Sequence, residues 1–286
     1  RYFLFNLEAL DRLESGFSRL GGHVARKFHL TRANSPDRAR QNIHDHYDLG
    51  NKFFSCFLDD TMTYSSAIFK NADMSLQEAS IFKLDRICRK LNLKDHDRVL
   101  EIGCGWGSFA LRAASAYGCH VTAVTVSTEQ YEYVKSQVDE LGLAGRVHVL
   151  FSDYRDLQGN FDKIVSIEMI EAVGHENLPE FFEICRRLIK PEGQVALQAI
   201  TMPDQRYKQY LDSCDFIQRY IFPGSCVPSL GALIEASAAN TDLRICHVEN
   251  IGLHYAETLK RWKSAFSENV DRIRALGYGE SFLRLW

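Results

Sequence analysis

The chain has 286 residues, of which 45% are hydrophobic and 25% charged, a composition that is ordinary for a globular protein with a full hydrophobic core. Its net charge of −3 and its lack of any run approaching eighteen apolar residues predict neither a nucleic-acid partner nor a membrane span. The eight cysteines include no C-x-x-C pair, which argues against a zinc site and a disulfide scaffold and favours a reducing, cytoplasmic location.

The N-terminal part of the chain is basic and predicts helices. A helix is expected at Leu4–Leu20, and the segment between Asp11 and Arg40 carries seven Lys and Arg residues against three acidic ones. Such a segment suits contact with an anionic membrane surface, and a solvated helix packed on its own domain is the alternative. We expect residues 1–90 to form a helical segment that contacts the membrane and covers the functional site.

Two more helices are predicted before residue 91, at Tyr47–Phe57 and Leu76–Leu91. Ser75 with Glu78 three residues later is the capping-box pattern that marks the start of the second helix.

From Asp97 onward the pattern changes to short β-branched runs that alternate with helices. This alternation is the signature of a parallel sheet covered on both faces, so residues 91–286 are predicted to form one α/β domain. The predicted strands are Arg98–Ile102, His120–Val126, Val147–Phe151, Lys163–Ile167, Gln194–Ile200 and Leu243–Asn250. The predicted helices are Ser108–Tyr117, Ser127–Leu141, Leu178–Ile189 and Leu230–Ala239.

The first predicted strand leads into three glycines, Gly103, Gly105 and Gly107, and then into a helix. Such a turn lets a ligand approach the backbone closely at a helix N-terminus. The spacing is G-x-G-x-G rather than G-x-G-x-x-G, and the second strand ends without a carboxylate, which disfavours a nicotinamide dinucleotide. Glu101 suits a ligand with an ammonium group, so we favour S-adenosylmethionine.

Seven ordered motifs resemble the cyclopropane fatty acid and mycolic acid cyclopropane synthases. The resemblance runs from about Ile43 to Trp286 and implies a Rossmann-like class I methyltransferase fold that uses S-adenosylmethionine. The motifs are His46-Tyr47-Asp48-Leu49-Gly50-Asn51, Met62-Thr63-Tyr64-Ser65-Ser66-Ala67, Thr125-Val126-Ser127-Thr128-Glu129-Gln130, Asp153-Tyr154-Arg155-Asp156, Glu168-Met169-Ile170-Glu171-Ala172-Val173-Gly174, Tyr220-Ile221-Phe222-Pro223-Gly224 and Asn250-Ile251-Gly252-Leu253-His254-Tyr255.

The resemblance also implies a set of site residues. Those expected at the cofactor, beside Glu101, are Tyr64, Ser65, Gly103, Gly105, Thr125, Gln130, Asp153 and Tyr154. Those expected to hold a bicarbonate that serves as the base are Ser66, Glu171, Gln198, the backbone at Ile200, and Tyr255, and Tyr47 is expected to face the reacting carbon. Candidates for the wall of an acyl channel are Phe53, Phe54, Phe57, Phe216, Ile217, Tyr220 to Phe222 and Trp262.

Three positions depart from the family's common pattern. Ser66 stands where Cys is frequent, Gln198 where His is frequent, and Ala172 where His follows the catalytic Glu. Loss of the imidazole leaves two products open: a cyclopropane ring on an unsaturated acyl chain, or a methyl or methylene branch from a lipid C-methyltransferase. A catalytically silent lipid- or cofactor-binding homologue is a third interpretation.

The expected partner is an unsaturated phospholipid at the inner face of a membrane, and the sequence leaves the oligomeric state open, with a homodimer as one alternative. Family members usually continue past the position of Trp286, so we expect the C-terminus to be incomplete.

Overall fold

The computed structural model describes residues 49–286. The predicted helix Leu4–Leu20, the basic segment and Tyr47 lie outside the described residues. Within residues 49–286 there is no helix whose length and apolar character would let it cross a bilayer.

A five-stranded, all-parallel sheet forms the centre of the fold, with strand order β3-β2-β1-β4-β5. β1 pairs with both β2 and β4, and four of its five residues are buried, as expected for the central strand of a covered sheet. The strands are β1 Arg98–Ile102, β2 His120–Thr125, β3 Val147–Phe151, β4 Phe161–Ile167 and β5 Ile189–Gln198. The predicted parallel sheet is therefore confirmed, and β1 and β3 have the predicted bounds.

Helices cover both faces of the sheet. On one face, Leu84, Phe109 and Val134 of three different helices pack against β1 and β2. On the other face, Phe181 and Leu233 of two further helices pack against the remaining side of the sheet. The helices up to residue 240 are α1 Gly50–Phe54, α2 Leu76–Lys90, α3 Ser108–Tyr117, α4 Thr128–Glu140, α5 Leu178–Leu188, α6 Asp204–Leu211, α7 Phe216–Tyr220 and α8 Leu230–Asn240.

One predicted strand is wrong. Residues 243–250 run without regular secondary structure, and Ile245 and Val248 are exposed instead of packing on the sheet. Alternation of apolar and polar residues was the only signal there, and no described strand pairs with this segment to satisfy its backbone groups.

The chain after residue 250 is helical and packs against α1. Phe53 and Phe54 of α1 are fully buried, and the ring of Phe53 contacts those of Phe282 and Trp286 edge-on. The helices of this part are α9 Gly252–Glu268, α10 Val270–Ala275 and α11 Glu280–Leu285. Phe53 and Phe54 are thus core residues rather than the predicted wall of an acyl channel.

The capping box at the start of α2 is present. Glu78 N donates to Ser75 Oγ at 3.2 Å, and Ser75 N donates to Glu78 Oε2 at 2.8 Å. We expect Ser75→Ala to lower the free energy of unfolding by about 1 kcal/mol, the usual cost of losing an N-cap side chain. Urea unfolding would measure this, with the exposed Ser115→Ala, which caps no helix N-terminus, as the control. Equal losses in the two variants would contradict a capping role.

Candidate active site

A cavity of about 1000 Å³ opens at the carboxyl ends of β1, β2 and β4. Ligands of open parallel sheets bind at this edge because the loops that follow the strands converge there. Eleven predicted site residues line the cavity: Tyr64, Ser65, Glu101, Gly103, Gly105, Thr125, Gln130, Asp153, Tyr154, Glu171 and Tyr255.

The glycine loop after β1 has a backbone conformation that residues with a side chain rarely adopt. Gly103 has φ +78°, and a Cβ there would lie 2.4 Å from Met169 Cγ. Gly105 has φ +54°, and a Cβ there would meet no atom within 4 Å, so its backbone borders open space. The loop therefore leaves main-chain atoms accessible to a ligand.

The end of β2 presents neutral polar groups in place of a carboxylate. Thr125 Oγ1 donates to Gln130 Oε1 at 2.8 Å and accepts from Ser127 N at 3.1 Å, and Ser127 caps α4. Helix α4 thereby fixes both side chains at the wall of the cavity.

The segment after β3 places Asp153 and Tyr154 at the wall of the cavity. Arg155 donates to both carboxylate oxygens of Asp153, at 2.9 and 2.7 Å. The Tyr154 ring packs edge-on against Phe181, and burial raises the pKa of its hydroxyl.

A buried ammonium group, which the sequence analysis missed, lies beside the glycine loop. Lys83 of α2 is fully buried, and its Nζ donates to Ser65 Oγ at 2.8 Å. Burial lowers its pKa to about 8, while the nearby carboxylates of Glu168 and Glu101 oppose that shift. A lysine on the apolar face of an amphipathic helix was the available signal.

Glu101, the last-but-one residue of β1, is also buried. Burial raises the pKa of its carboxyl group to about 8, and Lys83 opposes the shift. Glu101 Oε2 is enclosed without a hydrogen-bond partner among the described residues. A buried acceptor that lines a cavity and lacks a donor fits a ligand that brings one.

Ser66 and Gln198 do not border the cavity. Glu168 does, and its Oε1 accepts from Ser66 N at 2.9 Å and from Gln198 Nε2 at 2.8 Å. The two predicted anion ligands therefore bind a carboxylate of the chain itself. Glu168 was quoted in a motif but given no role, although a carboxylate directly after β4 was a usable signal.

Glu171 lies one short 3₁₀ turn after Glu168. Its Oε1 accepts from Ile200 N, and its Oε2 is buried without a partner among the described residues. Burial, with the neighbouring charge of Glu168, raises the pKa of Glu171 to about 8. Burial also raises the pKa of Tyr255, and the charges of Glu168 and Glu171 add to the rise.

Aromatic rings form much of the remaining wall. The Tyr64 ring lies 5.3 Å from that of Trp262 and is stacked at 6.4 Å on that of Phe222. Phe57, Phe216, Ile217 and Ile221 line the cavity as predicted, whereas Tyr220 lies outside its lining. The cavity thus joins a polar glycine-loop end to an aromatic, apolar end.

Comparison with known proteins agrees with this geometry. The profile of mycolic acid cyclopropane synthetases matches residues 34–286. The chain belongs to this family. It is 42% identical over 259 residues to tuberculostearic acid methyltransferase UfaA1 of Mycobacterium tuberculosis, covering 88% of this chain and 60% of the relative. It is 40% identical to cyclopropane-fatty-acyl-phospholipid synthase of Escherichia coli, covering 85% of this chain and 60% of the relative.

The chain therefore spans about three fifths of the length of these two relatives. Among solved structures, mycolic acid cyclopropane synthase CmaA1 complexed with SAH and CTAB aligns with TM-score 0.80 and 33% identity, covering 86% of this chain and 89% of that one. The predicted class I methyltransferase fold is thereby confirmed.

Glu171→Gln should flatten the pH dependence of the free energy of unfolding between about pH 4.5 and 8. In this window the folded protein keeps the Glu171 proton that the unfolded chain has lost, so wild-type stability falls as the pH rises. One group contributes a slope of at most about 1.4 kcal/mol per pH unit. Urea titrations across the window would measure it, with the exposed Glu183→Gln as the control. Identical slopes in wild type and Glu171→Gln would contradict the raised pKa.

Proposed function

We propose that this chain is an S-adenosylmethionine-dependent enzyme that adds one carbon to the double bond of an unsaturated phospholipid acyl chain. The observation that carries the proposal is the single cavity of about 1000 Å³ that connects the glycine loop, two buried carboxyl groups and an aromatic wall. A site that only bound a cofactor would need neither the carboxyl groups nor the apolar end.

The residues at the polar end fit S-adenosylmethionine. The unpartnered Glu101 Oε2 suits its ammonium group, and the open backbone at Gly105 suits close approach of its methionine part. Thr125 and Gln130 would bind the ribose hydroxyls as neutral partners, and Asp153 and Tyr154 would lie beside the adenine. The aromatic Tyr64 and the hydroxyl of Ser65 complete the methionine side.

When bound, S-adenosylmethionine supplies an electrophilic methyl group, which an isolated alkene can attack. The attack leaves positive charge on the acyl chain, and the aromatic rings of Tyr64, Trp262 and Phe222 at the cavity wall would stabilise such charge. A carboxylate at the wall must then accept a proton from the new carbon. These residues supply exclusion of water, charge stabilisation and a base.

A second product is supported by two observations. Position 198 places an amide rather than an imidazole beside Glu168, and the chain is 42% identical to a protein named as a tuberculostearic acid methyltransferase. We therefore propose a methylene or methyl branch as the alternative to a cyclopropane ring. The catalytically silent homologue is disfavoured, because it would not need two carboxyl groups buried side by side at the wall of the cavity.

The mouth of the cavity suits a membrane surface. On α7, Phe216, Ile217 and Tyr220 are about half exposed, and the first two also line the cavity. Exposed apolar groups at the entrance let an acyl chain leave a bilayer without crossing water. This supports a peripheral location and a phospholipid substrate, and homodimer formation stays a prediction.

The direct test is to incubate the protein with S-adenosylmethionine and vesicles of unsaturated phospholipid, and to analyse the acyl chains by mass spectrometry and proton NMR. A gain of one CH₂ with ring protons would establish a cyclopropane product. The same gain with the vinylic protons of an exocyclic CH₂ group would establish a methylene branch, and the same gain with a methyl signal on a retained chain double bond would establish a methyl branch. Unchanged acyl chains would contradict the proposal.

Gly105→Val should weaken binding of S-adenosylhomocysteine by at least about tenfold, because its side chain would enter the space that the ligand needs. Titration calorimetry would measure the affinity. Gly142→Val is a matched control, since Gly142 also has positive φ and open space around its Cβ but lies outside the cavity lining. Equal weakening in both variants would attribute the loss to backbone strain and contradict the assignment of the loop.

A further inference from the structure

Glu168 has a backbone conformation that is uncommon for its residue type. Its φ is +49°, and only Met62 and Asn92 share positive φ among the non-glycine residues between 49 and 286. Such strain persists where the surrounding structure holds the residue in place. Here the hydrogen bonds from Ser66 N and Gln198 Nε2 hold its carboxylate at the cavity wall.

The residues expected to hold bicarbonate do not fit that anion. The N–H groups of Ser66 and Gln198 bind Glu168, and Ile200 N binds Glu171. A bicarbonate would therefore find three of its predicted donors engaged, beside two carboxyl groups of its own charge sign. Burial of a further anion without donors is costly, so the site disfavours it.

We propose that Glu168 takes the place of bicarbonate and accepts the proton that ends the reaction. This inference rests on the proposed function. One C–H bond of the added carbon breaks, and its electron pair forms the third ring bond or, after a hydride shift, the double bond of a methylene branch. The proton passes to a carboxylate oxygen of Glu168, which neutralises the charge on the acyl chain.

The electrostatics favour Glu168 over Glu171 as the ionised member of the pair. Burial raises the pKa of Glu168, but its Oε1 accepts two N–H groups, from Ser66 and Gln198, and these donors and the Lys83 ammonium oppose the rise. Glu171 accepts one N–H group, and its raised pKa includes repulsion from Glu168 but no contribution from Lys83. Repulsion within the pair favours a single shared proton, and the two N–H donors with Lys83 favour its place on Glu171, which leaves Glu168 as the base.

The test compares wild type with Glu168→Gly, Glu168→Gln and the exposed control Glu183→Gln, in CO₂-free buffer with and without added bicarbonate. Glycine relaxes the positive φ of residue 168, so this variant should fold, which its melting temperature and S-adenosylhomocysteine affinity would verify. Turnover on lipid vesicles and calorimetric binding of bicarbonate to the S-adenosylhomocysteine complex are measured for each protein.

We expect wild-type turnover to be independent of bicarbonate and Glu168→Gln to lose at least about tenfold in turnover without rescue. Glu168→Gly should lose as much, and bicarbonate should restore part of it because the donors of Ser66 and Gln198 become free. Bicarbonate-dependent wild-type turnover, or full turnover of Glu168→Gln, would overturn the proposal.

Failure of the proposed function would look different. If wild type forms no lipid product, the binding measurements still decide the role of Glu168. Bicarbonate that binds Glu168→Gly but not wild type supports replacement of the anion by this side chain. Bicarbonate that binds wild type, or that binds neither protein, contradicts it.

Discussion

The buried ammonium group of Lys83 is the interaction on which the site depends. It lies in the core on α2 and donates to Ser65, while the carboxyl groups of Glu101 and Glu168 raise its pKa against burial. An ammonium group alone in a protein interior would lose its proton or prevent folding. Glu101 is the last-but-one residue of β1 and Glu168 directly follows β4, so Lys83 ties α2 and the segment around Ser65 to the functional edge of the sheet.

The charge of Lys83 also affects which carboxyl groups of the cavity are protonated. Lys83 acts on Glu101 and Glu168, but it is not among the groups that shift the pKa of Glu171. Three buried carboxylates beside one ammonium group cannot all be ionised at low cost. Glu171 receives no opposing contribution from Lys83, so the proton is favoured there, while the two N–H donors of Glu168 favour the charge on that residue. This arrangement favours a base and a neutral hydrogen-bond donor side by side, on residues three positions apart.

How much of this was predictable depends on the range of the interactions. The sheet, the glycine loop and the start of α2 follow from local pattern, because each is set by residues within one turn or one strand. Residues 243–250 carry the same alternation as a strand yet lack a partner, and Phe53 was assigned to a channel but packs against Phe282. Both errors concern contacts with distant segments, which periodicity does not reveal.

In the candidate site, too, the sequence motifs predict local features but not the contacts between distant segments. The motifs predicted which residues line the cavity, and eleven of them do so. They did not predict what Ser66 and Gln198 bind, because their partner Glu168 lies 102 residues from the first and 30 from the second. The departures from the family pattern at Ser66 and Gln198 also fit together in the folded structure, because both residues donate to the same carboxylate oxygen of Glu168. An amide at position 198 donates to Glu168 without carrying a positive charge, whereas an imidazolium there would stabilise the carboxylate further and weaken it as a base. Gln198, Glu168 and Lys83 thus form one arrangement that favours an ionised yet basic carboxylate at the wall of the cavity.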